Sequence, residues 1–197
     1  MAQLRELALE AYDKLIGLKL SEVAVDCCIT KAPCGGEKAG TNLVDRGKQG
    51  IKRSTVVDGK GIPLGVVAVP ANRHDSSLLD ETLDTLGVFG SMPEQMSVHL
   101  DRGYESDLTR KRLERRSLIG VISEKGRPAP FQETNRWVVE RTNSWQDSHK
   151  KLAWCTERRG RVIDFWVAFS EVVIIVRRLI REGWSRYRWE GRPRRRP

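Results

Sequence analysis

No stretch of the chain stays apolar for long. The longest such run, Phe165 to Val176, is interrupted by Ser170 and Glu171 and falls short of the roughly 18 residues that a membrane-spanning helix needs, so no membrane partner is expected. The first twenty residues, MAQLRELALEAYDKLIGLKL, carry acids and have no apolar core followed by a small-residue cleavage site. That excludes a secretory signal and gives a cytoplasmic location as the expectation. Cysteine is scarce: Cys27, Cys28, Cys34 and Cys155 show no Cys-x-x-Cys pair, and the three histidines, His74, His99 and His149, add no ligand spacing. A structural zinc site is thereby disfavoured, and four thiols in a reducing compartment are expected to stay free. No repeat is visible, and no Ser-His or Cys-His pairing suggests a covalent nucleophile.

What is abundant is positive charge. Lys and Arg total 35 against 26 acids in 197 residues, a net charge of +9, which suits a polyanionic partner. The excess is uneven: residues 1–100 carry a net −2, residues 101–176 a net +4, and residues 177–197 a net +7. That final segment, RRLIREGWSRYRWEGRPRRRP, has arginine as its only cation and interleaves Trp184, Tyr187 and Trp189. Guanidinium forks grip phosphates and aromatic faces stack on bases, so the segment reads either as a nucleic-acid contact or as a solvated tail.

Apolar 39% and charged 31% describe a globular chain of one domain. Leu4, Leu7, Ala8, Ala11, Leu15 and Leu18 recur at helical spacing, predicting a helix over 3–16 closed by Gly17. Glu22 to Ile29 reads as a strand with Val23, Val25 and Cys27 on one face and Ala24, Asp26 and Cys28 on the other. Residues 31–50 read as a long loop. Ser54–Val57 and Ile62–Val69 are strands joined by the hairpin signal Asp58-Gly59-Lys60-Gly61. Asp75 is the expected N-cap of a helix burying Leu78, Leu79, Leu83 and Leu86.

Met96 to Leu100 is a short strand that delivers Asp101 at its carboxyl end, followed by a helix from 107 to 116 and a strand from 118 to 123. Connections this short suggest parallel pairing, in which the carboxyl ends of strands are preferred site positions. Helices are expected over 136–151 and 163–182, the second apolar on most sides and hence a core helix. The sum is an α/β domain with a mixed five-stranded sheet flanked by helices. Three acids stand out by placement: Asp26 within the first long strand, Asp101 at the end of the fourth, and Glu140 in the helix after the fifth. Hard oxygen ligands on rigid elements suit paired divalent cations.

The motifs VDCCITKAPCGG around Asp26, VDRGKQG at 44–50, VVDGKGIPLG, NRHDS at 72–76, HLDRGYES around Asp101 and RWVVERTNSW around Glu140 resemble the DDE-type transposases of bacterial insertion sequences. The resemblance runs from about residue 20 to 182. It implies a ribonuclease H-like core, DNA strand cleavage and strand transfer, and Mg²⁺ or Mn²⁺ held by Asp26, Asp101 and Glu140 as the catalytic residues. It further implies insertion-sequence ends and target DNA as partners, a homodimer on DNA, an association with the nucleoid, and an N-terminal polypeptide encoded in an upstream frame. Arg136, four residues before Glu140, completes the family's Arg-x-x-x-Glu pair. Arg102, Arg136, Arg141, Lys150 and Lys151 are the expected DNA contacts.

Two departures from the family accompany the match. The basic residue that many relatives carry seven positions past the glutamate is Asp147 here, which turns attention to Lys150 and Lys151. Only 16 residues separate Ser123 from Glu140, too few for the β-rich insertion of some relatives. The expected organisation is a helical remnant of a DNA-binding region over 1–19, a catalytic domain over 20–182 and an Arg-rich tail over 183–197. A structure-specific nuclease on the same fold and a non-catalytic DNA-binding remnant are the rival readings.

Overall fold

The computed structural model describes residues 1–90, 92–123 and 135–187. At the middle of its sheet lies β1 (Glu22–Lys31), antiparallel to β3 (Gln49–Asp58) on one side and parallel to β5 (Ser97–Leu100) on the other. Beyond β3 runs β4 (Pro63–Pro70), antiparallel; beyond β5 runs β6 (Ile119–Ile122), parallel. The long strands therefore follow the order β4-β3-β1-β5-β6. A sixth strand corrects the expected five: β2 (Gly40–Thr41) pairs with Gly50 and Gln49, where β3 extends past the end of β4. Two residues are too few to leave an alternation in the sequence.

The hairpin turn forms where predicted. Asp58, fully buried, accepts hydrogen bonds from the backbone N–H of Lys60 and Ile62 through one oxygen and of Lys19 through the other. Three backbone donors satisfy an acid that would otherwise be costly to bury. The first hairpin strand starts at Gln49 rather than Ser54, because its polar residues find partners inside: Lys52 pairs with Asp75, and Arg53 pairs with Asp147 and donates to Gln146. Asp75 is thus held by a lysine, and the cap it was expected to supply comes from His74, whose side chain accepts from Ser76 N–H. The helical segment that follows is two 3₁₀ turns around α2 (Leu79–Asp84), and all four expected leucines are buried.

One sheet face packs Val23, Val25, Val56, Val98 and Leu100 against Leu79, Leu83, Leu86, Tyr104, Leu113 of α3 (Asp107–Arg115), and α1 (Ala2–Leu15). Burying each such side chain contributes about 1.5–3 kcal/mol, so truncating Leu100 is among the most damaging single changes available here. Helix α1 is where predicted, but turned: Ala8, Leu9 and Tyr12 are buried, whereas Leu4, Leu7 and Leu15 are exposed. Its neighbour α6 (Gly160–Arg186) explains the turn, through Arg5 with Glu171 and Tyr12 Oη donating to Glu182 at 2.8 Å. The end of α6 also returns to α1, with Arg186 and Tyr187 donating to the Leu15 carbonyl. Residues 183–186 of the expected tail are helix and Tyr187 caps it; Trp189 and the remaining tail arginines lie outside the described residues, as does the loop at 124–134. Helix α6 begins and ends about one turn beyond its expected bounds, and Phe165, Val176 and Ile180 on it are exposed.

The opposite face of the sheet carries α4 (Trp137–Asp147), whose Val138 and Val139 pack on Ala24 and Val57. The single helix expected over 136–151 is broken at Ser148 and His149, and a short α5 (Lys150–Ala153) follows. Ser148 Oγ donates to the Trp145 carbonyl at 2.7 Å, and the Leu152 carbonyl accepts from Thr30 of β1 at 2.5 Å. The break lets α5 drop onto the strand. No helix among the described residues is long and apolar enough to cross a membrane.

Candidate active site

Strand alternation puts Asp26 on the same face as Ala24, under α4, while Val25 points into the main core. The parallel register pairs Val25 with Leu100, so Asp26 and Asp101 are the next residues on neighbouring strands, with backbones about 4.8 Å apart by sheet geometry. Asp101 directly follows β5 and caps the 3₁₀ turn Arg102–Tyr104, its carboxylate accepting from Arg102 N–H at 2.6 Å. Glu140 is brought above them by α4. That helix is pinned to the hairpin turn: Thr142 Oγ1 donates to the Gly61 carbonyl at 2.7 Å and Arg141 to the Lys60 carbonyl at 2.6 Å. Gly61 adopts φ +80°, and a Cβ there would meet Arg141 at 2.7 Å. The left-handed φ, rather than the mobile arginine tip, is what favours glycine there.

Asp26 feels the other two acids. Burial pushes the Asp26 carboxyl up to about 6, opposed by a hydrogen bond from its neighbour's backbone N–H; Glu140 and Asp101 then push it further up, and Arg136 pulls it down. Arg136, at the start of α4, forms ion pairs with both Asp101 and Glu140, the latter at 3.1 Å. The sequence-predicted acids and Arg136 are therefore brought together. A divalent cation suits the donor chemistry, since all three ligands are carboxylates and their mutual repulsion calls for positive charge. At present the cation between Asp101 and Glu140 is a guanidinium, and among the described residues no three of His, Cys, Asp and Glu stand close enough to share one ion.

The other expected DNA contacts are dispersed. Arg141 is half-buried between Trp137 and Trp145, its guanidinium 4.5 and 4.8 Å from the two ring centroids. Lys151 pairs with Glu157 at 2.6 Å, Lys150 is exposed on α5, and Arg102 is exposed beside Asp101. Sequence reasoning missed Arg53, buried to 1% exposure and paired with Asp147. The acid at the family's basic position is thus met by a cation from β3. The adjacent cations Lys52 and Arg53 were the available signal, a polar pair entering a strand-like run.

Residues 21–167 match the family described as Transposase DDE domain. A putative transposase for insertion sequence element IS402, from Burkholderia cepacia, is 32% identical over 134 residues, which are 65% of this chain and 64% of that protein. Among solved structures, a piggyBac transposase in a synaptic complex with hairpin DNA superposes with a TM-score of 0.51 at 10% identity, over 88% of this chain and 50% of that one. The catalytic domain of Mos1 mariner transposase gives a TM-score of 0.45 at 11% identity, over 93% of this chain and 87% of that one. The chain spans just under two thirds of the IS402 relative and half of the piggyBac chain. The structural likeness to piggyBac transposase bears on the fold, and the match over three quarters of the sequence carries the conclusion: this chain belongs to the DDE-domain transposase family, with a ribonuclease H-like core.

Proposed function

We propose that residues 20–182 form the catalytic domain of an insertion-sequence transposase that cleaves DNA strands and joins them to target DNA, with Asp26, Asp101 and Glu140 as its catalytic and metal-binding residues. The observation that supports this reading best is the convergence of the three acids on one face of the sheet: Asp26 on β1, Asp101 directly after the parallel neighbour β5, and Glu140 on the helix above, with Arg136 bridging Asp101 and Glu140. Members of the family generally use a divalent metal; Mg²⁺ or Mn²⁺ would supply charge neutralisation and an activated oxygen nucleophile. The protein's own residues do the rest. Asp26, Asp101 and Glu140 provide fixed hard ligands, and Asp26 must lose its proton before it can serve as one. Arg136, once displaced from a carboxylate, is free to hold a scissile or adjacent phosphate, a charge-assisted fork of the kind guanidinium favours. Ends of the element and target DNA are the substrates in this reading, with a homodimer on DNA and the nucleoid as its setting.

The test is a gel assay with labelled element-end DNA and a supercoiled target, in Mg²⁺ and in Mn²⁺. Cleaved ends joined to target, absent in Asp26→Asn, Asp101→Asn and Glu140→Gln, support the proposal. Cutting without joining would favour the nuclease, and DNA binding without either reaction the non-catalytic remnant.

A further inference from the structure

Where α4 and α6 meet, Trp145 and His149 face Arg177, Arg178 and Arg181 across a cavity of about 390 Å³. The site lies apart from the carboxylates: Trp145 is five residues beyond Glu140, about 7.5 Å along the helix and on another face. Its charge is poorly balanced. Arg178 and Arg141 stand 5.9 and 4.8 Å from the Trp145 ring centroid, and both carry a buried Nε with no hydrogen-bond partner among the described residues. Glu182 pairs with Arg178 at 2.5 Å, but it also accepts from Tyr12. Arg177 and Arg181, one helical turn apart, are exposed at the cavity. The positive charge is felt across the cavity: Arg141 is pulled below its ordinary value by burial and then by Arg178 and Arg181, and the His149 imidazole is held toward its neutral form by burial and then by Arg177.

Cations crowded around an indole are a surface for an anion with a flat apolar part. We propose that this cavity binds one unpaired nucleotide of a DNA strand, with its phosphate held by Arg177 and Arg181 and its base against Trp145. Two features favour a nucleotide over a bare anion: the aromatic wall, which a phosphate alone does not use, and the pair of arginines one turn apart, which suits a chain of phosphates. The inference rests on the proposed function only in taking DNA as the polyanion.

The experiment is fluorescence anisotropy of the full chain with a labelled twelve-nucleotide thymidine strand, the same strand carrying a central run of abasic sites, and inorganic pyrophosphate as competitor. The expected results are a tenfold or greater loss of strand affinity in Arg177→Gln/Arg181→Gln, and tighter binding of the base-containing strand than of the abasic one. Trp145→Ala should erase that base preference, while Trp145→Phe should keep most of it. Comparing the two strands cancels contacts made by the arginine tail. Unchanged affinity in the double arginine variant overturns the proposal, and those side chains are exposed, so the variant should fold. Equal binding of both strands, with pyrophosphate competing fully, overturns it in favour of a free-anion site. A metal-induced rise in thermal midpoint, measured on the same variants, reports separately on the carboxylates: its presence alongside failed strand binding would sink this site and leave the proposed function standing.

Discussion

Asp26 and Glu171 are both acids that burial pushes upward, to about 6 and about 7, yet their surroundings differ. Asp26 sits beneath α4 with two further carboxylates beside it and Arg136 spanning those two. Glu171 lies inside the contact between α1 and α6, where Arg5 reaches one oxygen at 3.5 Å and the other oxygen is buried without a partner among the described residues. The lesson is that a raised carboxyl does not mark chemistry by itself. Company does: repeated negative charge around an opening creates a demand for a cation, whereas one acid with one arginine is a helix-packing device.

The sharpest way to break this comparison is activity. Asp26→Asn, Asp101→Asn or Glu140→Gln should lower strand cleavage by roughly 10³-fold or more, the scale expected when a metal ligand is lost from a site that relies on it, whereas Glu171→Gln should leave cleavage within about threefold. Comparable losses in the two groups, measured at matched folded fraction, would erase the distinction drawn here.

Stability should not follow that ranking. A carboxyl raised in the folded state holds its proton there after the unfolded chain has released it, so stability falls as pH climbs from the unfolded value to the folded one. For Glu171 that window runs from the ordinary 4.5 to about 7, and for Asp26 from 3.8 to about 6. At one pK unit per 1.36 kcal/mol, the upper bound is about 3 kcal/mol for each. Glu171→Gln, which keeps an oxygen for Arg5, should therefore raise the urea midpoint at pH 8, and the gain should vanish near pH 4. A gain independent of pH would mean that packing rather than ionisation is responsible.

A third measurement separates the two acids by metal. Millimolar Mg²⁺ or Mn²⁺ should raise the thermal midpoint of the parent chain and of Glu171→Gln by a few degrees, the shift expected when a ligand stands well above its dissociation constant. Asp26→Asn should show little shift. An equal shift in all three proteins would place the binding elsewhere.

The smallest effect concerns the C-terminal arginines. Removing residues 188–197 takes away five arginines, and binding to duplex DNA should lose up to about 0.9 log unit of salt slope for each phosphate contact given up. Such contacts carry little base information, so preference among sequences should stay put, as should the metal response. A salt titration with end-sequence and scrambled duplexes reads both.

Much of the candidate site was legible in the linear pattern because its acids stand on regular elements. The alternation in Glu22–Ile29 put Asp26 on the face opposite Val25, the short strand ending at Leu100 delivered Asp101, and the four-residue spacing of Arg136 and Glu140 put both on one side of a helix. Local periodicity suffices for these, since each depends only on neighbours in the chain. The sequence also carried the sheet's mixture of an antiparallel hairpin and parallel pairs, through a turn signal and through short strand-helix-strand connections.

What only the tertiary structure decided depends on partners distant in the chain. Helix α1 shows leucines at Leu4, Leu7 and Leu15, yet it buries Ala8, Leu9 and Tyr12, because α6 offers Glu171 and Glu182 to Arg5 and Tyr12 from more than 160 residues away. Arg53 reads as a solvent cation until β3 places it beside Gln146 and Asp147 of α4. The helix expected over 136–151 breaks at Ser148 and His149 to let Leu152 reach Thr30 of β1. The cavity around Trp145 exists only because α6 returns past α4 with three arginines on the facing side. In each case the sequence by itself determined which groups could be buried or charged, and long-range packing decided which of them met, because the cost of burying a charge depends on a counter-charge that local pattern does not contain.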